Sequence, residues 1–221
     1  LPDPTPYGAP PAALAALCIP YATGREEWVG ADESWLCTTG AVQFSEIYDG
    51  ETQDFTAAPA ALQPARLFDY SFDTIVGQEN EPVRCLQRLP VVKEFTAPNG
   101  EHLFDFGQNL TGWVEVEIYG EPGQKLTLRH AESLDENGNF YTENLSWAKA
   151  TDTYILSGGK QILHPHFTWH GFRYLCVEGL QYGQNVQFTA CHLSTDLQQT
   201  GSFTCSDKRV NRLQQNIQWS Q

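Results

Sequence analysis

Glu132, Asp135, Glu136, Glu143 and Asp152 fall within one short stretch of the chain. Paired carboxylates do general acid–base work, one giving a proton while the other takes one. An aromatic and amide set overlaps them: Trp147, Tyr141, Asn144 and Asn139. Rings of this kind stack on the apolar face of a sugar, and amides bind its hydroxyls. Trp113, Trp169 and Gln108 extend the set, but both tryptophans read as strand-borne core residues. His164 and His166 are spaced i, i+2 with His170 nearby, so one strand face could offer them to a metal. Pro165 between them favours packing or a turn instead. The six cysteines (18, 37, 85, 176, 191 and 205) show no CxxC spacing. They read as free thiols of a reducing compartment rather than zinc ligands or disulfides. No metal and no cofactor is expected.

The elements that hold these residues are strands. Val114, Val116 and Ile118 alternate with Glu115, Glu117 and Tyr119, the period of a strand with one buried face. Glu121-Pro122-Gly123 supplies the preset φ and the glycine of a type II turn. Leu126, Leu128 and His130 then share a face, so 113–132 reads as a hairpin. Asp135 to Asn139 (DENGN) is a second turn, in which Asp caps its own backbone. That makes Asp135 and Glu136 turn residues before they are catalysts. Glu132, beside that turn, reads as an interdomain contact rather than an acid. Thr153–Leu156, closed by Gly158-Gly159, is a short strand. Phe172, Tyr174 and Cys176 alternate with Arg173, Leu175 and Val177, and Val186, Phe188 and Ala190 repeat the pattern. Many short strands between regular turn signals predict an all-β fold, a sandwich or barrel.

Upstream, Leu17–Tyr21 and Glu27–Gly30 form a strand-like pair behind an opening with five prolines in its first eleven positions. Downstream the period changes. Ser206 suits an N-cap, Asp207 the positive end of a helix dipole, and Val210, Leu213 and Ile217 follow at helical spacing. An amphipathic helix that stops at Gln221 needs a partner surface, and the chain has no Met, so a piece of a longer protein is expected. The net charge of −14 disfavours a phosphate-binding face, which makes nucleic acid an unexpected partner. No apolar run approaches membrane-spanning length, so no membrane partner is expected either.

Several segments resemble the β-rich portion of bacterial α-L-rhamnosidases. FDFGQNLTGWV (104–114), RHAESLDENGNFYTENL (129–145), ATDTY (150–154) and FTWHGFRYLCVEG (167–179) are similar to that family's concanavalin-like sandwich. DESW (32–35) and SEIYDGE (45–51) resemble the domain before it, and residues 192–221 the junction after it. Ser146-Trp147-Ala148-Lys149 departs from the small or basic residues the family pattern leads one to expect before ATDTY, and the preceding domain begins part-way through. The resemblance implies four parts: a partial, jelly-roll-like (galactose-binding-like) β domain at 1–58, crossover strands at 59–98, the β-sandwich at 99–193, and at 194–221 the first helix toward an (α/α)6 barrel. It implies removal of terminal α-L-rhamnose with inversion, by two carboxylates on that barrel. No residue here matches the family's catalytic motif, so this chain alone is expected to be inactive. The implied partners are the barrel of the same polypeptide and a rhamnose-containing glycan, in a bacterial, cytoplasmic setting with secretion left open. Two other readings stay open: a stand-alone carbohydrate-binding module and an adhesive β-sandwich.

Overall fold

The computed structural model describes residues 12–220 apart from 70, 72 and 74, so the proline-rich opening and Gln221 lie outside the described residues. Along the chain run β1 (Ala16–Pro20), β2 (Glu26–Gly30), β3 (Leu36–Cys37), β4 (Val42–Glu46), β5 (Gly50–Asp54) and β6 (Gln63–Pro64). Next come β7 (Val83–Pro90), β8 (Lys93–Thr96), β9 (His102–Gly120), β10 (Lys125–Ala131), β11 (Ser133–Leu134) and β12 (Phe140–Tyr141). The last are β13 (Thr151–Ile155), β14 (Gly159–Leu163), β15 (His170–Glu178) and β16 (Val186–Thr195), followed by α1 (Lys208–Trp219). The fold is all-β with one short C-terminal helix. It divides into two units: Leu1–Gly40 with Pro59–Gln78, and Ala41–Ala58 with Glu79–Gln221.

In the first unit β1 pairs antiparallel with β2, as the sequence suggests, and β3 pairs with β6. The second unit is built on a ten-stranded curled sheet in the order β4-β5-β13-β10-β15-β9-β16-β7, with β8 and β14 also on β9. The long β9 explains the curl. Its first half pairs with β8 and β15, its second half with β14 and β16, so one strand serves both layers of the sandwich. Val114, Val116 and Ile118 point into a core shared with Leu126, Leu128, Tyr154, Phe172, Leu175 and Phe188. Full burial of such a side chain stabilises by about 1.5–3 kcal/mol.

Three expectations need correction. The Pro122-Gly123 turn forms, with Gln124 N–H donating to the Glu121 carbonyl at 3.1 Å, but 113–132 is not a hairpin. β9 and β10 each pair with β15, which lies between them, because an alternating pattern identifies a strand and not its neighbour. In β15 the register shifts between Phe172 and Tyr174. This bulge changes the face that follows, so Leu175 and Val177 join Phe172 in the main core while Cys176 packs with Leu103 and Ala97. At the helix, Asp207 rather than Ser206 is the N-cap: its side chain accepts from Arg209 N–H at 2.8 Å, a reach Ser206 lacks one residue earlier.

Candidate functional site

Two polar clusters flank the sandwich core of the second unit. The outer one is the loop region after β10. Asp135 Oδ1 accepts from the N–H groups of Asn137 at 2.9 Å and Asn139 at 2.7 Å, and its Oδ2 accepts from Asn139 Nδ2 at 3.0 Å. These bonds hold the Asp135 carboxyl below its usual range, the Asn139 backbone bond foremost, so it is a turn builder as expected. Glu132 accepts from Asn109 Nδ2 at 3.1 Å and Asn144 Nδ2 at 3.3 Å. Glu143 opens a single 3-10 turn, Glu143–Leu145, and Glu136 lies in the turn itself.

The sugar-contact candidates are distributed over this region. Trp147 is 56% exposed and meets Tyr48 edge-on, with centroids 4.7 Å apart. Tyr141 is half-buried on β12. Asn139 is committed at both ends, its Oδ1 accepting from Asn99 N–H at 3.0 Å, and Asn144 is committed to Glu132. Gln108 donates to its neighbour's carbonyl at 2.8 Å. Trp113 is half-buried and stacks on His164 at 5.3 Å. Trp169, read above as core, is 49% exposed, because it lies in the loop before β15 and not on the strand. His164 and His166 pack ring to ring at 5.0 Å in the loop after β14, a packing role in keeping with Pro165.

The inner cluster was not legible as a unit. Asp152 on β13 lies in sheet register beside Glu51 of β5, whose N–H donates to Asp152 Oδ1 at 3.0 Å. Gly50 makes that approach possible: at φ +111°, a Cβ there would sit 2.0 Å from the Thr151 carbonyl oxygen. Glu51 is itself buried. Its Oε1 accepts from Gln53 Nε2 at 2.6 Å and His166 N–H at 2.9 Å, and its Oε2 from Phe167 N–H at 3.0 Å. Gln53 Nε2 also donates to the His164 carbonyl at 2.8 Å, so two polar side chains of β5 hold the 164–167 loop.

Across from Glu51, His170 Nε2 lies 3.1 and 3.2 Å from the two oxygens of Asp152. His130 stacks on His170 with centroids 4.2 Å apart and an angle of 27°. His130 Nδ1 bonds the Ala150 carbonyl at 2.9 Å, which fixes its proton on Nδ1. Its Nε2 then carries a lone pair with no hydrogen-bond partner, 4.0 Å from Asp152 Oδ2. Burial first and the neighbouring His170 second drive the His130 pKa down to about 3, so the ring is neutral. Burial pushes the Asp152 carboxyl up, but the hydrogen bonds it accepts from His170 and from the Glu51 N–H outweigh it and hold the group below its usual range. His130, Asp152 and His170 are 0%, 1% and 4% exposed, which closes them to any substrate.

Neither of two shallow recesses in this unit offers an accessible acid–base pair. A shallow recess of about 410 Å³ contains Glu115 and Glu117, but Arg88 pairs with the first and Lys160 with the second at 2.8 Å. A second recess of about 360 Å³ contains glutamines, Asn211 and hydroxyl residues, with no carboxylate.

Comparison with known proteins matches residues 2–87 to the alpha-L-rhamnosidase N-terminal domain and residues 95–194 to the bacterial alpha-L-rhamnosidase concanavalin-like domain. The chain belongs to the bacterial α-L-rhamnosidase family. An alpha-L-rhamnosidase of Streptomyces avermitilis is 33% identical over 97% of this chain and 22% of its own length, and one of Formosa agariphila is 29% identical over 97% and 24%. Among solved structures, native α-L-rhamnosidase from Aspergillus terreus superposes with a TM-score of 0.83 at 32% identity, covering 94% of this chain and 26% of that one. The Streptomyces avermitilis enzyme complexed with L-rhamnose gives 0.79 at 33%, over 94% and 22%. The chain thus spans about a quarter of the length of the rhamnosidases it matches, and what it matches is their β-rich part.

Proposed function

We propose that this chain is the non-catalytic β-rich portion of an inverting α-L-rhamnosidase, a scaffold that supports a catalytic (α/α)6 barrel in the same polypeptide. The observation that carries this reading is near-complete coverage of the chain by rhamnosidase structures of which it covers only about a quarter. The engagement of Glu132, Asp135, Glu115 and Glu117 by neighbouring donors and the burial of Glu51 and Asp152 support it too. On α1, Trp219 packs toward the core and onto His192 at 4.6 Å, while Val210, Leu213 and Ile217 stay exposed. That unpartnered apolar stripe suits a neighbouring domain. A bacterial, cytoplasmic setting is part of this proposal, with secretion left open. The test is hydrolysis of an aryl α-L-rhamnoside by this chain and by a version extended into the barrel. The extended protein should turn over and this chain should not; turnover by this chain alone would overturn the reading.

Exposed Trp147 favours a second, compatible reading, contact with a rhamnose-containing glycan. Titration with L-rhamnose should then quench tryptophan fluorescence at millimolar or lower concentration, with the response lost in Trp147→Ala. An unchanged response in that variant would remove Trp147 from the reading.

A further inference from the structure

The inner cluster is more elaborate than a scaffold needs. One member of each of three strands converges there: His130 of β10, Asp152 of β13 and His170 of β15. Their ligand-type atoms all lie within 4.8 Å of one another. Preorganisation centres on His130. The Ala150 carbonyl accepts from His130 twice, from the backbone N–H at 3.0 Å and from Nδ1 at 2.9 Å, and Ala150 holds a φ of 44° while doing so. The result is a bare Nε2 lone pair facing an anionic carboxylate with no hydrogen between them. Two acceptors face each other in a sealed, low-dielectric space, an arrangement that a cation relieves. Tyr154, two residues beyond Asp152 on the same face of β13, adds a second unpartnered buried group, its hydroxyl.

We propose that His130 Nε2, Asp152 and His170 Nε2 form a closed structural site for a divalent transition ion, with Zn²⁺ the best match to the donors. Two imidazoles and a carboxylate are a common zinc set, and a tetrahedral ion with bonds near 2.0–2.1 Å holds its ligands about 3.4 Å apart. The separations of 3.1 Å for His170–Asp152 and 4.0 Å for His130–Asp152 bracket that value. The carbonyl behind His130 and the Glu51 N–H behind Asp152 are the outer contacts that orient metal ligands. On binding, the ion replaces the hydrogen between His170 and Asp152, and the neutral His170 ring carries its proton on Nδ1. A water or the Tyr154 hydroxyl fills the fourth position. The ion ties β10, β13 and β15 together and, through Glu51, β5. It has no open position for a substrate, so its role is to fasten the sheet. In the sequence the histidine spacing placed a possible metal at His164 and His166 with His170 nearby, but His164 and His166 fall in a loop, and only His170 belongs to this cluster.

The site is buried, so loading accompanies folding. Tag-free chain is unfolded with a chelator, then refolded with Zn²⁺, Co²⁺ or EDTA, and bound metal is measured after gel filtration by plasma mass spectrometry. About one zinc per chain is expected, with the thermal midpoint raised by roughly 10 °C over the EDTA sample at saturating metal. The cobalt form should show tetrahedral d–d bands and no thiolate charge-transfer band, which separates this site from the six cysteines. His130→Gln and Asp152→Asn should lose the ion, and His102→Gln, at a half-buried histidine outside the cluster, should keep it. The cobalt spectrum of the unaltered chain stands even if the buried variants fail to fold. Absence of a stoichiometric ion, a thiolate band, or retention of the ion in His130→Gln overturns the proposal.

Discussion

The loop around Asp135 and the layer around Asp152 both gather carboxylates and amide or imidazole groups, yet they use their hydrogen-bonding capacity in opposite ways. In the loop, Asp135 and Asn139 satisfy each other, and Glu132 is shared by Asn109 and Asn144. In the layer, Asp152 is well supplied while His130 Nε2 and the Tyr154 hydroxyl go without a partner. The loop is exposed and chemically satisfied; the layer is sealed and chemically unfinished. Exposure alone therefore ranks these regions wrongly as candidates for ligand chemistry.

The difference can be broken most forcefully at the two aspartates. Asp152→Ala leaves His170 Nε2 and the Glu51 N–H buried without their shared acceptor and should lower the unfolding free energy by about 2–5 kcal/mol in urea titrations. Asp135→Ala removes only turn hydrogen bonds and should lower it by about 1 kcal/mol. Equal losses would dissolve the distinction. Gly50→Ala tests the approach of β5 to the layer, and the clash with the Thr151 carbonyl should remove about 2–4 kcal/mol. Circular dichroism melts that match the parent chain would mean β5 tolerates displacement.

Acid gives a control outside both regions. Arg173 Nε and Nη2 clamp Asp105 at 2.8 and 2.9 Å. Burial pushes the Asp105 carboxyl up, but the Arg173 clamp and the Gly107 N–H prevail and hold it below the usual range. A lowered folded pKa stabilises fully above the unfolded value of about 3.9 and fades as pH falls through the folded one. The parent chain and Arg173→Met should therefore differ in urea midpoint at pH 7 and converge in acid below about pH 4. A gap that persists there would assign Arg173 a packing role. Smaller still, Ala150→Gly should raise stability by about 0.5–1 kcal/mol, since glycine accepts the left-handed backbone that Ala150 endures. A decrease would mean that the methyl group packs usefully. Least affected, Trp147→Ala should change stability by under about 0.5 kcal/mol, as for other exposed positions; a larger loss would make its Tyr48 contact structural.

What was legible in the sequence was local. Alternation in Val114–Ile118 and Leu126–His130 marked buried faces correctly, and DENGN announced a turn whose Asp135 bonds stay within five residues. Pairing was not legible, because β15 separates β9 from β10 without leaving a trace in either strand's pattern. The β15 bulge escaped for a related reason: one displaced residue reassigns Leu175 and Cys176 to opposite faces without changing composition. Glu51 and Gln53 were missed since GETQD has polar residues on the alternate positions that usually face water. Here that face is buried against the 164–167 loop. His130, Asp152 and His170 come from three strands, and only the ladder order brings them together.

The parallel pairing of β5 with β13 also sets a timetable. Glu51 is separated from its Asp152 partner by 101 positions, so during synthesis β4 and β5 emerge long before their neighbour exists. At ribosomal speeds of about 5–20 residues per second, that interval lasts roughly 5–20 s. For its duration the hairpin offers an open edge to any strand at hand, on the same chain or on the next ribosome. Slowed translation between Asp54 and Thr151 should therefore show up as aggregation of nascent chains, with the finished fold unaltered once β13 has docked.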